Sequence, residues 1–138
     1  MGERVVLLIG GCLMALLGLA RGAGGLALLV RGASVDPKIH APATAVTVVG
    51  LGLVVVGLLL VVAAIGVLRH RRTSWSLGLW SVILFVIGGA VNGTVLYGRP
   101  GGQGTIANVV VAGVIAACLH LGKRALGGID DSTARSAR

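Results

Sequence analysis

The sequence predicts an all-α integral membrane bundle of four transmembrane helices with both termini cytoplasmic. Three observations carry that expectation. Four long apolar runs, 5–30, 43–68, 74–98 and 104–121, together hold a single Lys, Arg, Asp or Glu, Arg21. The runs do not alternate apolar with polar residues, as membrane strands of about 10 residues do. The remaining basic residues are shared unequally between the two sets of flanks. A helix crosses the hydrocarbon core with about 20 apolar residues, so every run is long enough. Only 12% of the chain is charged, against about 25% in soluble domains. That composition excludes an ordinary soluble fold. Little chain lies outside the runs, so residues 1–126 read as one transmembrane domain and 127–138, "GGIDDSTARSAR", as a flexible cytoplasmic tail.

The first run follows "MGER" and reads as a retained span, because only five apolar residues precede Cys12 in "IGGC", too short a core for a secretory signal. Gly11, Ala15, Gly18, Gly22 and Gly25 recur at steps of 4, 3, 4 and 3. They place small residues on one stripe, where helix backbones can approach closely in lipid. The loop "GASVDPKIHAP" ends at Pro42, a residue suited to a helix start. The second run, "ATAVTVVGLGLVVVGLLLVVAAIGVL", is apolar all round, as a helix among lipid and neighbours is. "RHRR" (69–72) separates it from the third run.

In the third run Ser74, Gly78, Ser81, Phe85, Gly88 and Asn92 form a similar stripe, with a GxxxG pair at Gly89 and Gly93. The first and third helices run parallel in this topology, and their stripes suggest that they face each other or pair across a dimer. Trp75, Trp80 and Tyr97 read as interfacial anchors. "GRPGGQG" (98–104) is a Gly/Pro turn. The fourth run carries Asn108, read as structural, and ends near His120.

Charge orients the bundle. Arg4, Arg69, Arg71, Arg72, Lys123, Arg124, Arg135 and Arg138 share one side; Arg31, Lys38 and Arg99 share the other. Short cytoplasmic segments carry the Lys/Arg excess, which places both termini inside; the absence of targeting signals and the Gly/Ala/Val/Leu-rich makeup suit a bacterial inner membrane. The net charge of +8 does not point to nucleic acid, because aromatic residues for base stacking are only 3% of the chain.

Arg21 is the residue left over. Counted from Val5 at 1.5 Å per residue, it lies about 24 Å along an upright helix, close to the outer boundary of a core about 30 Å thick. The apolar run continues beyond it, so the helix is either long and tilted or broken at Gly22, Gly24 and Gly25, and in both cases Arg21 lies deeper than a simple anchor. Its candidate partners are backbone carbonyls, Asn92, a lipid phosphate, an anionic substrate or an acid on another chain; lipid-headgroup or structural anchoring is one reading and a specific site is the other. The four acids, Glu3, Asp36, Asp130 and Asp131, all lie outside the runs. The four-span length resembles that of small multidrug exporters, but their membrane glutamate has no counterpart here. No catalytic set, metal cluster, haem pair or other cofactor motif can be placed, so the expectation is a non-catalytic protein without cofactor or metal. Two functions fit: an accessory or structural subunit that packs against a larger membrane complex or itself, or a small oligomeric transporter or channel for an anion or amphiphile that uses Arg21 and Asn92. The partners implied are the bilayer, anionic lipid, and other membrane subunits or further copies of the chain.

Overall fold

The computed structural model describes residues 2–70, 73–98 and 103–123. Among them the chain forms α1 (Gly2–Arg31), α2 (Ala43–Leu68), α3 (Ser74–Tyr97) and α4 (Gln103–Leu121), with a 3-10 turn at Gly32–Val35 and no strand. All four helices are long and apolar enough to cross a membrane. The chain is therefore a multi-pass membrane protein of the all-α class. The tail 127–138, the 99–102 turn, and Arg71 and Arg72 lie outside the described residues.

Residue pairing across the helices establishes their directions. Gly11 lies against Leu68, Gly18 against Gly57 and Val61, and Gly25 against Gly50 and Val54. Numbers rise along α1 as they fall along α2, so the two are antiparallel. The same holds for α3 and α4, where Gly78 meets Leu119 and Gly89 meets Asn108, and for α1 and α4, where Gly10 meets Cys118. Each helix packs on its sequence neighbours, and α4 returns to α1. The result is an up-down-up-down ring with α1 and α3 on a diagonal. The α1 small-residue face therefore meets α2, not α3. Across the diagonal α1 and α3 meet through side chains, Met14 towards Gly78 and Arg21 towards Phe85.

The α1–α2 seam explains why small residues recur there. A Cβ built on Gly18 would sit 2.7 Å from the Gly57 carbonyl oxygen, and one on Gly25 2.6 Å from that of Gly50. Apolar surface gains little from meeting a helix instead of lipid, so close backbone packing must hold the pair. The structure divides the stripe, however. Gly11, Gly18 and Gly25, seven residues apart, face α2, whereas a Cβ on Gly22 meets nothing within 4 Å. Gly22 contributes backbone only: its N lies 2.7 Å from a Cβ built on Gly57. Ala15 is half-buried against the main core.

That main core joins all four helices through Leu7, Met14, Leu60, Phe85, Ile115 and Leu119 among others. A second, smaller core lies at the opposite end of the bundle from Gly2 and Lys123. It comprises Leu28, Ile39, Val46, Val49 and Leu96. Ile39 reaches it from the α1–α2 loop, which turns at Gly32 (φ +59°). The loop is tied by the Ile39 N–H donating to the Asp36 carbonyl at 3.1 Å. Pro42 caps α2, its carbonyl accepting from the Val46 N–H at 3.1 Å. Gly98 ends α3 in the left-handed region (φ +64°). Hydroxyls within the helices bond their own backbone: Ser81 donates to the Leu77 carbonyl at 2.7 Å and Thr94 to that of Ala90 at 2.9 Å. A buried hydroxyl is thereby satisfied without a partner helix.

Candidate functional site

The two cores do not merge, and the gap between them is where Arg21 lies. α1 runs unbroken through Gly22, Gly24 and Gly25, so no break at those glycines turns Arg21 outward. Its guanidinium carbon stands 4.7 Å from the centre of the Phe85 ring, and Phe85 is midway along α3. α2 begins at Ala43 and ends at Leu68, beside Gly11. Arg21, between the Gly18–Gly57 and Gly25–Gly50 contacts, therefore stands about midway along the α1–α2 seam.

Gly89 makes room for it. A Cβ there would lie 3.4 Å from an Arg21 guanidinium nitrogen and 2.5 Å from Nδ2 of Asn108. Only a residue without a side chain lets α3 accept both groups, one from α1 and one from α4. Two cavities meet at this point. The first, about 290 Å³, runs between α2 and α3; its floor includes Val49, Phe85 and Gly89, and its rim includes the exposed Val48, Gly52 and Ile87. The second, about 380 Å³, extends between α3 and α4 towards the last residue of α3 and includes Tyr97, Thr105 and Asn108. Arg21, Gly89 and Asn92 line both. The first is otherwise walled by aliphatic groups and Phe85; the second carries amide and hydroxyl groups.

The electrostatics of the junction are one-sided. No acid occurs in the four helical spans. Asp36, the acid in the described α1–α2 loop, is engaged elsewhere: it accepts from the Tyr97 hydroxyl at 3.2 Å and from the Lys38 N–H at 2.9 Å. Among the described residues Arg21 makes no ion pair, and its one aromatic partner is Phe85. A cation over an aromatic face recovers about 0.5–2 kcal/mol. Placing Arg at mid-membrane costs about 2.5–3.5 kcal/mol on insertion scales and about 10 or more on an isolated helix. The ring alone does not offset the charge.

Of the residues singled out in the sequence, Arg21, Asn92, Gly89 and Gly93 come together at the second cavity. Gly88 lines the first, with open space at its Cβ position. Gly11, Gly18 and Gly25 stand apart at the α1–α2 seam. Among the described residues Asn92 makes no interhelical hydrogen bond. Asn108, read as structural, belongs to the site. The available signal was that Asn92 and Asn108 are the two amides within the spans, on helices joined by a short turn and thus antiparallel neighbours. Cys12 and Cys118 are free, and among the described residues no group of His, Cys, Asp or Glu is placed to hold a metal ion. No protein-family model, curated protein or solved structure matches the chain.

Proposed function

We propose that this chain is a non-catalytic membrane protein that binds an anion inside its bundle. The observation that carries this reading is the Arg21 guanidinium, without an acidic partner among the described residues and at the junction of two cavities that reach different surfaces. An ionisable residue deep in a membrane bundle marks a substrate or ion path by default. Guanidinium suits a carboxylate or phosphate because its fork offers two parallel donors. The Asn92 and Asn108 amides supply further donors. The accessory-subunit reading draws on the small-residue stripes, the missing chemistry and the tiny loops; α2 occupies the Gly11, Gly18 and Gly25 face of α1, so that face does not argue for an outside partner.

Octanoate, with octanol as its neutral counterpart, is a suitable probe. In nanodiscs of zwitterionic lipid the wild type should bind octanoate more tightly than octanol. Arg21→Gln should lose that preference by about tenfold or more, since hydrogen bonds to charged groups contribute about 1.5–3 kcal/mol and 1.4 kcal/mol is tenfold. Arg21→Lys should keep part of it. An unchanged preference in Arg21→Gln would overturn the proposal.

The Lys/Arg bias further supports cytoplasmic termini, and the Gly/Ala/Val/Leu-rich makeup suits a bacterial inner membrane. In a chain with Cys12 and Cys118 replaced by Ala, an impermeant thiol reagent added outside should label Ser34→Cys and spare Thr73→Cys. Those positions are exposed at opposite ends of the bundle. The reverse pattern would invert the topology.

A further inference from the structure

The two cavities differ in chemistry and in where they open, and the difference specifies the ligand. The first opens sideways. Val48 is 69% exposed, Ile87 55% and Val91 50%, whereas Val49 and Phe85 at its floor are 6% and 3% exposed. Exposed aliphatic groups on membrane-spanning helices face acyl chains, so this cleft leads from the bilayer to Arg21. The second cavity holds Asn108, Thr105 and Tyr97, and its far wall, Gly104 and Tyr97, stands at helix ends. It leads from Arg21 towards the end of the bundle. A free inorganic anion has use for the second cavity only. A neutral lipid chain has use for the first only. One molecule has use for both: an anionic headgroup on an alkyl chain.

We infer that the two cavities form one site for a single-chain anionic amphiphile, with its headgroup at Arg21, Asn92 and Asn108 and its chain lying outward through the α2–α3 cleft into the bilayer. The inference rests on the anion-binding reading of Arg21 and adds the chain, its place and the side from which the ligand arrives. Because the cleft continues into the lipid, the chain need not end within the protein. Discrimination then falls on headgroup charge and size, and chain length is tolerated. Gly52 and Gly88 keep the cleft open: a Cβ on either meets nothing within 4 Å.

Photolabelling tests the placement. Dodecanoate carrying a diazirine partway along its chain is added to the full chain in zwitterionic nanodiscs and irradiated, and the labelled residues are mapped. The expected result is labelling concentrated on α2 and α3 around Val48, Ile87 and Val91, displaced by unlabelled dodecanoate and not by dodecanol. Gly88→Leu, which fills the cleft from its wall, should reduce this labelling several-fold while circular dichroism shows the helical content unchanged. Gly52→Leu on the opposite wall provides the same test should Gly88→Leu fail to fold. Carboxylate-displaced labelling that falls on α3 and α4 instead would overturn the cleft and leave the anion reading standing. Labelling on α2 and α3 that dodecanol displaces equally, and that Arg21→Gln leaves unchanged, would overturn both.

Discussion

Gly18→Ile is expected to destabilise the protein by about 2–3 kcal/mol or more, at the upper end of the range for overpacked cores. The new side chain would begin 2.7 Å from the Gly57 carbonyl oxygen and 2.8 Å from a Val61 methyl. A methyl can rotate away; a backbone carbonyl held in a helix cannot. α1 and α2 must then separate, and the closest seam in the bundle is lost along its length. Gly25→Ile should behave alike, because its obstacle is the Gly50 carbonyl at 2.6 Å. Two controls make the result specific. Leu19 is 64% exposed, so Leu19→Ile should change little. Gly22→Ile should also be mild, although Gly22 belongs to the same small-residue stripe, because its side-chain direction is open. Unfolding midpoints in a detergent series would measure all four. Equal losses at Gly18 and Gly22 would mean that the seam is not packed as described.

Gly89→Leu should remove the preference for octanoate over octanol by about tenfold or more, and it should do so without dissolving the bundle. Its first obstacles are the ends of two long polar side chains, Asn108 and Arg21. These can yield where a backbone would not, but they yield by leaving the junction of the cavities. The loss should therefore be as large as that of Arg21→Gln. A milder pair of changes checks the geometry independently. Gly89→Ala crowds Asn108 Nδ2 at 2.5 Å, and Asn108→Ala in the same molecule removes the crowding. The double variant should be more stable than the sum of the singles by about 0.5–3 kcal/mol, the usual coupling of residues in contact. Strict additivity in the unfolding assay would show that the two residues do not meet.

The number and limits of the helices were legible because lipid leaves the backbone little choice. With no water to satisfy its polar groups, a long apolar run must become a helix. The second run, 43–68, coincides with α2, and the third ends at Gly98, where the left-handed cap forms. Which helix faces which was less legible. The stripes on the first and third runs suggested that they face each other or pair across a dimer, yet short connections make sequence neighbours spatial neighbours, and within the chain α2 takes the Gly11, Gly18 and Gly25 face of α1. Where Arg21 falls among the other helices was not legible either, because it depends on which α2 residues lie beside α1, Gly57 on one side of it and Gly50 on the other. Asn108 was passed over because a lone amide in an apolar run carries no partner in its own sequence context. Gly89, which opens the space it shares with Arg21, sits on the helix before it.

The order of synthesis adds a constraint in time. Arg21 belongs to α1, but the ring it rests on and the glycine that admits it belong to α3. At about 5–20 residues per second, Phe85 follows Arg21 out of the ribosome by roughly 3–13 seconds. Through that interval the α1–α2 hairpin must carry the guanidinium without its ring partner. The hairpin is suited to wait, because its glycine seam is complete within residues 11–68 and needs nothing from later helices. Substitutions that loosen the seam should thus act during biogenesis as well as at equilibrium: they leave a charged span with neither its neighbour nor its ring, the state that membrane quality control is built to remove.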